Sequence, residues 1–381
     1  MVAALSVLLG IYLSLAPLAP LSSARARTAL PFGSPFCSFV LRSPISTHYS
    51  LLITHYSHMA SVGIIANPRA GKDIRRLVAH GSVLDTQEKV YIVRRAILGL
   101  NGAGVDEVVF LPDSVGIGHK ALSGITETVR ITPRFLDMPV YDEAADSTRA
   151  AHLMREQGVA CVIVIGGDGT SRVVAKASGD MPLISLSTGT NNAFPRFLES
   201  TLAGLAAGHY AVRQLAWAEF TTPTKRFNLY RSGQREDVAL VDVAVCDYQF
   251  VGARALWEVD RLKELFLTQG QPTNIGMAAI GGMVHPIRPQ EDGGLYLQLG
   301  TGERTITAAI APGLVATVGI RYHTKMHQGD RLPVTYTPAI LALDGEREIV
   351  VKAEDRWEVE LSWEGPRLLD IEKVMEAARK G

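Results

Sequence analysis

The chain has 381 residues, 47% of them hydrophobic, with 38 Lys and Arg balanced by 38 Asp and Glu. That length suits two domains with a sizeable core, and the charge balance offers no basic field for nucleic acid or an acidic membrane surface. Three widely spaced cysteines, Cys37, Cys161 and Cys246, argue against a disulfide framework or a zinc site and for a reducing, cytoplasmic setting.

Residues 2–20 are apolar, but no positive charge precedes them as it does in an export signal. Thr-His-Tyr-Ser occurs twice, at 47–50 and 54–57, in a stretch without helical period or caps. Met59 then leads directly into an apolar run. The expectation is a functional chain starting at Met59, with 1–58 a non-native or disordered extension. Val62 to Ala66 reads as a buried parallel strand closed by Asn67-Pro68. A helix is expected over 86–100, with Val90, Val93, Ile97 and Leu98 on one face. Val105 to Leu111 reads as a strand, Pro139 to Tyr141 as a weaker one, and Ser147 to Gln157 as a helix ended by Gly158. Val159 to Ile165 carries the strongest strand signal; a helix beginning at Val173 and a strand over Pro182 to Ser187 follow. This alternation predicts an α/β domain with a doubly wound parallel sheet over 59–212. Short β-rich segments at 225–231, 237–246, 294–299, 304–310, 314–320 and 347–361 predict a mostly antiparallel second domain over 213–362. A helix is expected over Ala253 to Leu267, a flexible stretch over Gly276 to Gly282, and a closing amphipathic helix over Leu368 to Arg379, so that 363–381 returns to the first domain.

The chemistry concentrates where the strongest strand ends, at Gly166-Gly167-Asp168-Gly169-Thr170. The glycines permit close backbone approach, Asp168 supplies a carboxylate, and the following helix start turns amides toward a phosphate. The plainer alternative is a β–α turn with Asp168 capping the helix. One strand later, Ser187-Thr188-Gly189-Thr190-Asn191-Asn192-Ala193-Phe194-Pro195-Arg196 offers a second polar turn beside the first. Lys72 is either a phosphate contact or a surface lysine. Asp344-Gly345-Glu346 either supports a site and its Mg²⁺ or is a hairpin turn. Arg254 and Lys263 are placed on the face of the expected second-domain helix. His285, His323 and His327 lack zinc-type spacing with an acidic partner.

Gly166 to Thr170 matches the GGDGT signature shared by NAD kinases and diacylglycerol kinases. Asn67-Pro68-Arg69-Ala70-Gly71-Lys72 resembles the first glycine loop of that superfamily, and Leu343-Asp344-Gly345-Glu346 its late acidic turn. Through Asp73 to Val78, Phe250 to Ala255 and Ala279 to Gly282, the chain is most similar to the ATP-NAD kinase-like proteins of acetoin catabolism clusters. The resemblance implies an NAD kinase-like fold, ATP as donor, Mg²⁺ with the nucleotide, and NAD phosphorylated at its adenosine ribose 2′-hydroxyl. Carried onto this chain, it makes Asp168 the catalytic residue, accepting the hydroxyl proton or orienting a Mg²⁺-bound phosphate. Gly166, Gly167, Gly169 and Thr170 would cradle phosphates. Asn67, Pro68, Gly71, Lys72, Thr188, Gly189, Thr190, Asn191 and Asn192 would line the nucleotide cleft. Small nucleotides are the expected partners; nucleic acid and stable membrane insertion are not, and a homo-oligomer is expected. Two departures separate the chain from typical NAD kinases. Its Gly189-Thr190-Asn191-Asn192-Ala193-Phe194 turn is closer to that of lipid kinases, and Val241-Asp242-Val243 lacks the Asn-Glu or Asn-Asp pair that grips the dinucleotide. A lipid or polyol kinase and a non-catalytic nucleotide sensor therefore stand as rival readings.

Overall fold

The computed structural model describes residues 59–69, 85–189, 192–247 and 259–380. The first sheet grows from apolar runs with no in–out alternation, the pattern of strands covered on both faces. β1 (Ser61–Ala66) is buried throughout. Helix α1 (Thr86–Gly102) follows, its first turn capped by the Asp85 carboxylate accepting from Glu88 N. β2 (Glu107–Phe110), α2 (Ile117–Ser123) and β3 (Thr132–Phe135) come next. They lead into α3 (Ala144–Glu156), β4 (Cys161–Gly166), α4 (Asp168–Ser178) and β5 (Leu183–Ser187). After α5 (Ser200–Val212) and the single turn α6 (Trp217–Phe220), the short β6 (Thr221–Thr222) ends this part of the chain.

Three local expectations are corrected here. The strand expected at Pro139–Tyr141 lies earlier, at β3, a partly exposed edge strand containing Pro133 that carries no apolar signal. Leu98 is exposed, because the buried face of α1 runs through Val90, Val93, Ile97 and Leu100. Helix α4 starts at Asp168 rather than Val173, with Gly167 as its extended N-cap, so the glycine motif is itself the first turn.

The second domain is two antiparallel sheets face to face. Its chain runs through β7 (Arg226–Arg231), β8 (Gln234–Ala239), β9 (Asp242–Cys246), β10 (Leu262–Leu267) and helix α7 (Met277–Val284). It continues through β11 (Gly294–Ala311), β12 (Leu314–Met326), β13 (Arg331–Pro333), β14 (Ala339–Leu343), β15 (Arg347–Val351) and β16 (Trp357–Ser362). The segments expected as single strands at 237–246 and 347–361 are each two, whereas 294–299 and 304–310 join into one long strand. The six strands ordered β12-β11-β10-β9-β14-β15 pack on the four ordered β13-β16-β7-β8. Phe227, Phe266, Leu341, Trp357 and Val359 fill the space between the sheets. Ile280 and Val284 of α7 cover the outer face of the larger sheet.

The helix expected over 253–267 is overturned in its described part. Val259–Arg261 is a 3₁₀ turn and Leu262–Leu267 is β10, paired with both β9 and β11. A short apolar run does not distinguish a buried strand from a buried helix. The flexible stretch expected over Gly276–Gly282 is also overturned, since α7 occupies it. Its glycines permit close packing: a methyl on Gly281 would strike the Leu267 side chain, and one on Gly282 the Gln271 backbone.

The chain then re-enters the first sheet. β17 (Leu368–Leu369) lies parallel to β5 and antiparallel to β6, which gives a seven-stranded, mostly parallel order β3-β2-β1-β4-β5-β17-β6. The closing helix α8 (Ile371–Lys380) starts after this strand and buries Val374 against the side of the sheet covered by α1 and α5. Ile65, Val109, Val162, Val164 and Val174 build the opposite core. Among the described residues no helix is long and apolar enough to cross a membrane.

Candidate active site

Parallel strands end their chains at one sheet edge, and here the loops after β1, β4 and β5 meet there. Asn67, immediately after β1, donates its backbone N–H to the Ile165 carbonyl (3.2 Å) and its Nδ2 to Thr170 Oγ1 (2.9 Å). The fully buried Lys89 of α1 fixes this turn from behind, its ammonium donating to the carbonyls of Asn67 (3.0 Å) and Pro68 (2.8 Å). Thr188 N donates to the Gly166 carbonyl (3.2 Å), which joins the third loop to the second. Thr170 offers a phosphate its backbone rather than its hydroxyl. Its side chain is buried, faces Asn67, and fills the space a side chain on Gly166 would need.

Asp168 opens α4 with its carboxylate turned to the next loop. Its Oδ1 accepts from Phe194 N (2.8 Å) and Ala193 N (3.1 Å), and its Oδ2 shares the Ala193 amide (3.1 Å). Gln269 secures the same loop by donating to the Ala193 carbonyl (2.7 Å). Within the loop, Asn192 Nδ2 donates to Ser187 Oγ (2.8 Å) and to the Gly189 carbonyl (3.3 Å). Burial pushes the Asp168 carboxyl up to about 7; the Asp344 charge adds to this, the amides of Phe194 and Ala193 work against it, and the Glu346 charge adds again.

The acidic turn between β14 and β15 reaches this place from far along the chain. Asp344 and Gly345 both take positive φ, 48° and 69°, a conformation suited to Asp-Gly in a tight hairpin. The Asp344 carboxylate accepts from Leu240 N, Val241 N and Asp242 N (2.8–3.2 Å) and lies 3.6 Å from Arg172 Nε. Its burial raises its pKa although Arg172 opposes the shift. Asp344 thus fastens the β8–β9 corner and supports the site through it. Glu346 does face the site: a methyl on Gly169 would overlap its carboxylate, and one on Gly167 would stand 3.6 Å from its Oε1 and 3.0 Å from Asn192 Oδ1.

Asn67, Pro68, the Gly166–Thr170 loop, Thr188, Gly189, Asn192 and the acidic turn are therefore gathered at one sheet edge. Gly71, Lys72, Thr190 and Asn191 lie outside the described residues, as does Arg254. Lys263 sits on β10 beside Tyr336, and its ammonium donates to the Asp260 carbonyl (3.0 Å). Arg172 extends the polar edge of the glycine loop, as its place in sequence beside Thr170 and Ser171 suggests. Three residues of the arrangement escape sequence reasoning: Gln269, Asp237, which pairs with Arg172, and Lys89, hidden on an apolar helix face. Among the described residues no group of three or more His, Cys, Asp and Glu could hold a metal ion. Asp168 and Glu346 are the carboxylates at the glycine loop that would hold a nucleotide-bound Mg²⁺, which needs no more than one or two of them.

Residues 62–213 match the ATP-NAD kinase N-terminal domain, and residues 225–364 the C-terminal domain of acetoin catabolism protein X. Acetoin catabolism protein X of Cupriavidus necator is 38% identical over 329 residues, 83% of this chain and 92% of that protein. The crystal structure of a candidate diacylglycerol kinase from Bacillus anthracis aligns over 82% of this chain and 98% of its own, at 13% identity and a TM-score of 0.42. The α/β domain with its mostly parallel sheet, followed by the antiparallel β-rich domain, is an NAD kinase-like fold. By its sequence identity along nearly the whole length of that relative, the chain belongs to the acetoin catabolism protein X family.

Proposed function

We propose that the chain is an ATP-dependent kinase that phosphorylates the adenosine ribose 2′-hydroxyl of NAD, giving NADP and ADP, in the service of acetoin breakdown. The observation that carries this reading is Asp168: a carboxylate at the start of α4, braced by two amides and tuned to about 7. A general base works best when its pKa lies near the operating pH. Asp168 Oδ2, which shares a single amide, keeps lone-pair capacity for the acceptor hydroxyl. In the reaction the 2′-oxygen forms a bond to the γ-phosphorus and the bond from that phosphorus to the β–γ bridging oxygen breaks. ADP leaves, and the hydroxyl proton passes to Asp168. The amides at the start of α4, beside the Glu346 carboxylate, would face the phosphates, and Asn67 and Asn192 supply amide groups at the rim. The ATP-NAD kinase match over 62–213 supports ATP and NAD as the substrates.

A second reading, a nucleotide sensor without turnover, draws on the Glu346 carboxylate standing over the glycine loop where phosphate charge would be placed. Purified protein incubated with ATP and Mg²⁺ against NAD, NADH, diacylglycerol and acetoin separates the readings. NADP formation supports the kinase on NAD, whereas phosphorylation of diacylglycerol alone moves the assignment to a lipid kinase. Nucleotide binding with no product in any arm moves it to the sensor.

A further inference from the structure

Between α3 and α4 lies a cavity of about 620 Å³ whose lining includes neither Asp168 nor the glycine loop. Its floor is apolar, built by Ala144, Ala145, Val173 and Ala177, with Thr148 and His152 beside them. Four cationic side chains reach it from three elements, Arg149 from α3, Arg172 and Lys176 from α4, and Arg347 from β15. One carboxylate, Asp237 of β8, is shared by three of them: Arg172 Nη1 at 3.2 Å, Arg347 Nε at 3.6 Å, and the Lys176 ammonium. Arg149 pairs with Asp146 at 3.1 Å, but that carboxylate also accepts from Tyr141 N and Glu143 N. Arg172 is buried, and its Nε makes no hydrogen bond among the described residues, since the Asp344 oxygen is 3.6 Å away.

The four cations are thus paired with three carboxylates, Asp237, Asp146 and Asp344, each of which also accepts from backbone amides, while Glu156 lies 3.1 Å from His152 Nε2. Guanidinium groups match the geometry of phosphate oxygens, and the volume falls within the range of small-molecule sites. We propose that this cavity is an anion site, separate from the nucleotide cleft, that takes a phosphate-bearing small molecule between Arg149, Lys176 and Arg347. The proposal goes beyond the kinase reading and does not depend on it.

The test titrates the full chain with inorganic pyrophosphate, by calorimetry and by following the ring-proton resonance of His152. This histidine lines the cavity, and its resonance is assigned by comparison with a His152→Gln spectrum. Saturable binding that shifts the His152 signal is expected. The double variant R149Q/R347Q, whose side chains are 34% and 55% exposed and so tolerate neutral replacements, should bind at least about tenfold more weakly. Absence of pyrophosphate binding overturns the proposal. So does binding that leaves His152 unmoved, which places the anion elsewhere, or an affinity unchanged in the double variant.

Discussion

Asp168 enters α4 with its carboxyl held well above the usual carboxylate range, at about 7, and two measurements follow from that shift. If Asp168 is the base, kcat/KM for NAD should rise with pH through about 7 and level off above it. Asp168→Asn should lower kcat by about 10²–10⁴-fold. The effect on stability has the opposite sign. Between the ordinary carboxylate value of 3.8 and about 7 the folded state keeps a proton that the unfolded chain has lost, so this group's contribution falls as pH rises across that window. The Asn variant escapes the penalty and should melt at least as high as wild type at pH 8, by differential scanning calorimetry. A clear drop in its melting temperature at pH 8 would falsify the buried-carboxylate account. Lys89 makes a different prediction. Lys89→Met leaves the Asn67 and Pro68 carbonyls without their buried donor, so unfolding free energy should fall by about 1–3 kcal/mol. The KM for ATP should rise with it, because Asn67 loses its anchor.

At the scale of elements, α1 and α5 cross where both lack side chains. A methyl on Gly99 would strike the Thr201 carbonyl oxygen, and one on Gly204 the Ala96 carbonyl oxygen. Gly204→Ala should therefore cost about 1–3 kcal/mol in urea unfolding, although alanine is the better helix former. This crossing also marks the boundary of what sequence reasoning reaches. Buried strands such as Cys161–Gly166 are legible because an unbroken apolar run ended by glycines fits a strand covered on both faces and little else. Helix α5 is not: its alanines and glycines, from Ala203 to Ala211, give almost no polar face from which to read a period. The β10 segment passes for a helix in sequence because Leu262–Leu267 is covered on both sides and lacks alternation. The glycine loop and the acidic turn are visible as motifs. That Asp344 spends its carboxylate on Leu240, Val241 and Asp242 is not, because those partners lie about a hundred residues away.

For the whole molecule, Arg172 is one of the polar ties between domains, beside Lys176 and Gln269. From α4 it reaches Asp237 on β8 and Asp344 at the β14–β15 turn, all three side chains being almost fully buried. Replacing the cation with a neutral residue leaves Asp237 to Lys176 and Arg347, and Asp344 to its three amides, so the cost should be about 1–3 kcal/mol, less than for a buried charge left alone. Arg172→Met should lower the urea midpoint accordingly; a midpoint within error of wild type would show that this guanidinium adds nothing to the union of the domains. Topology adds a second demand. β17 is slotted between β5 and β6, so the first domain's sheet receives an interior member from beyond the whole β-rich domain. During synthesis that sheet must wait, one slot empty, until the β-rich domain has been made and β17 leaves the ribosome. Nonsense mutations shortly before Leu368 should therefore disable the half of the protein that was translated first.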